Sequence, residues 1–168
     1  VAVFEIDGPY EISFEKRKGG RSLVFDEFWS DDARTAHLAG KCGCYVFAVR
    51  TGGGINPIYV GKATKTFKQE VFNPSNRHKY HNGFIEYGKG TPVMYFVVHG
   101  RSKGPDNKKH IAEIEGFLIQ AGVAKNPSLQ NVKGTQAPQW SIKGVIRNGS
   151  GKRSAVEGEF IKMFGIHR

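Results

Sequence analysis

The stretch Ile58–Phe72, IYVGKATKTFKQEVF, decides how the rest of the chain is read. An apolar run ends at Gly61, and lysines follow at 62, 65 and 68. Tyr59 stands at the junction. It is either a packing tyrosine or one set beside a cationic surface to work on a phosphate. Upstream, CYVFAVR (Cys44–Arg50) is a second compact apolar run, joined to the first by TGGGINP. Two such runs across a short Gly-rich loop predict an antiparallel hairpin.

Working outward, PVMYFVVHG (Pro92–Gly100) reads as the strongest strand of the chain. Between Phe72 and that strand, a helix is expected over Thr66–Phe72. A break follows at NPSN (Asn73–Asn76), then a second helix over roughly Arg77–Tyr87, stopped by Gly88 and Gly90. His110–Gly122 carries Ile111, Ile114, Phe117, Leu118 and Ala121 at helical spacing, which predicts one apolar face. Asn107 is its expected N-cap and Gly122 its C-terminal stop.

Residues 3–28 read as a hairpin. Tyr10, Ile12 and Phe14 alternate with polar residues, KRKGGR (Lys16–Arg21) makes the turn, and Leu23–Phe25 return. A short helix is expected over Asp31–Leu38. At the other end, Trp140, Ile142, Val145 and Ile146 suggest a strand and Ser154–Phe164 a closing helix. The expected organisation is one α/β domain of α+β type over 1–168. It has an N-terminal hairpin extension (1–40), a core (41–131) and a C-terminal β-α extension (132–168).

Lys plus Arg number 25 against 15 acids among 168 residues, a formal net charge of +10. A surface of that sign attracts polyanions and releases their counterions, so nucleic acid is the first partner expected. Cys42 and Cys44 are the only cysteines. Their spacing is too tight for an ordinary disulfide and supplies at most half a zinc site, so two reduced thiols and a cytoplasmic location are expected. No apolar run approaches a membrane span and no signal peptide is visible, so no membrane association is expected.

Three separated items line up in order: GCY (Gly43–Tyr45), YVG (Tyr59–Gly61), and Glu115-x-x-Leu118-Ile119 followed by Asn131. This resembles the GIY-YIG nuclease superfamily over about Cys42–Asn131. The resemblance implies a small three-stranded antiparallel sheet flanked by helices, with the two motif tyrosines on the first two strands. It implies a metal-dependent endonuclease acting on phosphodiester bonds, on DNA rather than RNA. It also implies Glu115 as the ligand of Mg²⁺ (or Mn²⁺), a hard cation that needs only one or two carboxylates plus the phosphate. Tyr45 and Tyr59 would position water or take a proton. A phenol near pKa of about 10 is a poor base at neutral pH, and a nearby cation lowers it. Lys62, three residues beyond Tyr59, is the candidate for that cation. His78 and Asn131 complete the expected catalytic set.

One departure bears on catalysis. The family carries a catalytic Arg on the helix after YIG, and alignment on Phe67 puts Glu70 there. A carboxylate at that point repels the scissile phosphate. The alternative reading is therefore a catalytically weak or inactive nucleic-acid-binding member of the same fold. Lys65, Lys68 and Arg77 are candidate phosphate contacts near the site. Lys16 and Arg17 at the hairpin tip, and Arg147, Lys152 and Arg153 in the Gly-rich tail, are candidate outer contacts.

Overall fold

The computed structural model describes residues 3–99, 108–131, 133–134 and 154–164. It divides into two compact units, residues 1–135 and 136–168. The first contains a four-stranded antiparallel sheet and a separate two-stranded one. The larger has the order β1-β6-β4-β5, built from β1 (Phe4–Glu11), β4 (Gly43–Thr51), β5 (Gly54–Ala63) and β6 (Thr91–His99). The smaller pairs β2 (Ser13–Arg17) with β3 (Gly20–Val24). The helices are α1 (Phe67–Glu70), α2 (Pro74–Tyr87), α3 (Lys108–Lys125) and α4 (Ala155–Phe164). The α+β class holds, and the expected hairpin at the N-terminus is present as β2–β3.

The main sheet has four strands rather than the three expected. The alternating run Tyr10–Glu15 is split at Ile12. Its first part belongs to β1, which pairs with β6, and its second part belongs to the hairpin. Ile12 is buried, and its N–H donates to the Pro92 carbonyl at 3.0 Å. Since β6 begins at Thr91, β1 runs out of partner there, and the chain must leave the sheet to satisfy its backbone elsewhere.

Two other boundaries moved for local reasons. NPSN separates α1 from α2 as expected, but it also starts α2 three residues earlier than expected: the Asn73 side chain accepts from Asn76 N, and Pro74 occupies the first turn, where its missing N–H costs nothing. Gly88 ends α2 with φ +74°. The segment Gly54–Pro57, read as loop, extends β5. Pro57 is tolerated because β5 is an edge strand and the pairing slips between Phe47 and Ala48.

The sheet separates two apolar layers. On one face Tyr45, Phe47, Val49 and Tyr59 pack with Phe67, Tyr80 and Phe84. On the other, Cys44 lies with Ile111, and Val60 with Ile119 and Leu129, beneath α3. The buried stripe of α3 is Ile111, Ile119 and Gly122, flanked by half-buried Ile114 and Leu118. Phe117, expected on that stripe, is 72% exposed. Gly122 does not stop α3. It lies against Leu129, whose Cδ2 would stand 3.2 Å from an added Cβ, and the helix continues to Lys125.

Both cysteines are buried and neither is in a disulfide. No described helix is long and apolar enough to cross a membrane. Of the C-terminal expectations, the closing helix is present as α4, with Val156 and Met163 exposed. Trp140, Ile142, Val145 and Ile146, and the expected cap Asn107, lie outside the described residues.

Candidate functional site

The β4–β5 hairpin sets the two motif tyrosines side by side. Tyr45 is registered opposite Gly61, and Phe47 opposite Tyr59. The rings of Tyr45 and Tyr59 lie 6.4 Å apart, centroid to centroid. Both glycines of the two tripeptides have a steric reason. A Cβ on Gly61 would stand 2.4 Å from Cζ of Tyr45, so the Tyr45 ring lies across the space that any side chain there would fill. Gly43 has φ +148°, and a Cβ would collide with the Val97 carbonyl oxygen of the neighbouring strand.

Neither phenol is poised to lose a proton. Burial pushes Tyr45 well up, helped by the neighbouring Tyr59; the hydrogen bond that Asn76 Nδ2 donates to its hydroxyl at 2.8 Å only partly offsets this. Tyr59 is likewise raised, first by burial and then by the negative charge of Glu115. This direction is the opposite of the one expected from a lysine beside Tyr59. The reason is the position of Lys62. Side chains alternate along β5, so Tyr59 points to the α2 side and Lys62 to the α3 side. There Lys62 Nζ meets Glu115 Oε2 at 2.6 Å.

That pair follows from the α3 periodicity. Glu115 is four residues after Ile111 and three before Leu118, so it sits on the sheet-facing stripe and its side chain is only 20% exposed. A carboxylate held there needs a compensating cation. Glu113, on the outer side, faces Lys109 at 4.0 Å across one helical turn.

Asn131 does something the sequence did not suggest. Its Oδ1 accepts from Val60 N at 2.9 Å, and its Nδ2 donates to Val60 O at 2.7 Å. Gln130 N donates to Ile58 O at 2.7 Å, and Asn126 Nδ2 to Pro57 O at 2.7 Å. The segment 126–131 thus covers the open edge of β5 and clamps the backbone between Tyr59 and Gly61.

The remaining expected residues are scattered. His78 is exposed on α2, with Nε2 3.1 Å from Asn82 Nδ2. Arg77 is committed: Nε donates to Phe72 O at 2.7 Å, and its guanidinium lies 5.2 Å from the Phe25 ring. Lys65 and Lys68 are exposed around α1. Lys16 and Arg17 are exposed at the hairpin tip, where Arg17 pairs with Glu15 at 2.9 Å. Arg147, Lys152 and Arg153 lie outside the described residues. Glu70 is half-buried, and its charge helps to hold Tyr45 protonated. Its carboxylate has no cation partner among the described residues.

Two residues of this region escaped the sequence reading. Asn76 joins Tyr45 to the Glu70 carbonyl through its Nδ2, at 2.8 Å each. Lys79 holds its Nζ 4.8 Å from the centre of the Tyr59 ring, within cation–π range. Asn76 was expected in the break ahead of the helix, so the i, i+3 face it shares with Lys79 on α2 emerged only with the fold.

A cleft of about 700 Å³ lies elsewhere, between β1, the β2–β3 hairpin and residues 26–35. Its charged lining is Glu11, Glu15, Asp26 and Glu27 against Arg34 and Arg50, an unfavourable balance for a phosphodiester. Among the described residues no group of three or more His, Cys, Asp or Glu is placed to hold a metal ion. The chain matches no family model, no curated protein and no solved structure.

Proposed function

We propose that the chain is a metal-dependent endonuclease of GIY-YIG type, hydrolysing phosphodiester bonds in DNA rather than RNA. The observation that supports it is what β5 carries: Tyr59 beside Tyr45 on one face, with ring centres 6.4 Å apart, and Lys62 paired with Glu115 at 2.6 Å on the other. The net charge of +10 favours a polyanionic substrate.

Glu115 is the oxygen donor that would hold a hard divalent cation, with water and phosphate oxygens completing the shell; its ion pair with Lys62 would have to open to admit the metal. Mg²⁺ or Mn²⁺ held on Glu115 would neutralise phosphoryl charge and stabilise the leaving oxygen. The phenols of Tyr45 and Tyr59 stay protonated at neutral pH, so they act by orienting water or donating a hydrogen bond. Asn76 fixes the Tyr45 hydroxyl, and Asn131 fixes the strand that carries Tyr59.

A second reading, a nucleic-acid-binding protein of the same fold with weak or no catalysis, is favoured by one feature. Glu70 carries negative charge close to Tyr45 with no cation to cancel it.

Cleavage of duplex DNA with Mg²⁺ and Mn²⁺ distinguishes the two. Glu115→Gln keeps the shape and removes the charge, so cleavage should fall by about 10³-fold or more, in line with several kcal/mol of charge stabilisation. DNA binding should persist or tighten, because Lys62 is released. Unchanged turnover in Glu115→Gln would refute the metal assignment. Salt-dependent binding without cleavage by the wild type would leave the second reading.

A further inference from the structure

We infer that the β2–β3 hairpin is an arm for the backbone of duplex DNA, with Lys16 and Lys18 at its tip neutralising phosphates whatever the base sequence. The inference rests on the nucleic-acid part of the reading above and does not depend on cleavage.

The hairpin is mounted through Arg21. Its Nη1 donates to the Gly90 carbonyl at 2.7 Å and its Nη2 to the Phe84 carbonyl at 3.3 Å, and its guanidinium lies 3.8 Å from the Phe84 ring centre. Phe84 is in the last turn of α2, where the helix dipole favours a cation. Leu23 is buried, and the rings of Phe14 and Phe84 meet edge to face at 5.4 Å, so the base of the hairpin is fixed to the core. The tip is not covered. Residues 16–20 are all exposed, and an added Cβ on Gly19 or Gly20 would meet nothing within 4 Å. The turn is short: Lys18 and Gly19 lie between the paired residues Arg17 and Gly20.

The tip carries more positive charge than the fold can use. Pairing sets Lys16 directly opposite Arg21, and like charges in that position repel. Glu15, the one carboxylate of the hairpin, is held by Arg17 at 2.9 Å. Arg21 is bonded to neutral carbonyls, which leave its charge uncancelled. Lys16 and Lys18 form no ion pair among the described residues. A phosphate set among these cations turns their repulsion into attraction. Nucleic acids and anionic membranes both present dense phosphate. KRKGGR (Lys16–Arg21) holds no apolar side chain to enter a bilayer, whereas a two-stranded ribbon has the width of the major groove. Lysine ammonium groups are point charges suited to phosphate, and Arg17 is engaged by Glu15, so the arm positions the duplex and does not read its bases.

The test measures binding of the full chain to two duplexes of unrelated sequence across a salt series. Lys16→Gln with Lys18→Gln removes both charges from exposed positions. The slope of log K against log salt should fall in magnitude by about two, and binding at about 0.1 M salt should weaken by about 10- to 100-fold, equally for both duplexes. Lys16→Arg with Lys18→Arg should restore both. Lys16→Gln alone should leave the urea midpoint at low salt unchanged or higher, since it removes the repulsion from Arg21, and a lowered midpoint would overturn the account of surplus charge. A double variant with the wild-type slope would overturn the arm and leave the nuclease reading to the Glu115→Gln cleavage assay. A loss confined to one duplex would overturn the backbone assignment. Tighter binding to phosphatidylserine vesicles than to DNA, lost in the double variant, would overturn the choice of nucleic acid. A wild type that binds but does not cleave, with the slope reduced in the double variant, would support the arm and overturn the nuclease reading. A wild type that binds no DNA would overturn both.

Discussion

Asn131→Ala tests whether Asn131 is a clamp on β5 or a group that serves a metal. The side chain makes two hydrogen bonds to one residue, accepting from Val60 N and donating to Val60 O. Only one orientation of the amide satisfies both, so the contact is directional. Val60 is 1% exposed, so water reaches its backbone poorly once the amide is gone. Each net hydrogen bond contributes about 1 kcal/mol, and each buried group left unpaired costs about 1–3 kcal/mol. The expected destabilisation is about 2–4 kcal/mol. With a urea slope of about 1.5 kcal/mol/M, the midpoint should fall by about 1.3–2.7 M. Asn131→Asp should be at least as harmful, because it keeps the acceptor but sets an oxygen against the Val60 carbonyl. Urea unfolding followed by circular dichroism, without metal or nucleic acid, makes the measurement. A shift below about 0.5 kcal/mol, within the range of an ordinary surface change, would refute the clamp.

Two further outcomes are expected. Gly61→Ala should displace the Tyr45 ring and break its hydrogen bond from Asn76, costing about 1–3 kcal/mol; a midpoint equal to wild type in urea would show that the ring yields freely. Alkaline pH should destabilise the fold. Cys44 is raised from 9.0 to about 12 and Tyr10 from 10.0 to about 12, each first by burial, and Tyr45, Tyr59 and Tyr80 are raised in the same direction. The unfolded chain then releases protons that the folded one keeps, so stability should hold to about pH 9 and decline above it. Tyrosinate absorbance that develops fully around pH 10 with the fold intact would contradict this.

Much of the local structure was legible in the chain. The near-continuous apolar runs Cys44–Arg50 and Pro92–His99 specified buried strands, and TGGG specified a hairpin turn between Thr51 and Gly54. Helical spacing specified α3 and Gly88 the end of α2. These are consequences of period and backbone conformation, which neighbouring residues encode by themselves. The order of GCY, YVG and Glu115 also brought the candidate residues to notice before any coordinates.

The tertiary structure decided which of these residues act on each other. Lys62 looked like the partner of Tyr59 because it is close in sequence, yet the pleat of β5 turns it to the other face and onto Glu115. Asn131 was expected in the catalytic set, and became the clamp of an edge strand 71 residues away. Lys79 carried no motif and reached Tyr59 because Gly83 lets α2 close on the sheet. The strand Phe4–Glu11 read as part of a hairpin and joined β6 instead, since β6 offered an unpaired edge. In each case a polar or charged group is satisfied by a residue far along the chain. Sequence period says which way a side chain points along its own element, and only the packing of elements says what it meets there.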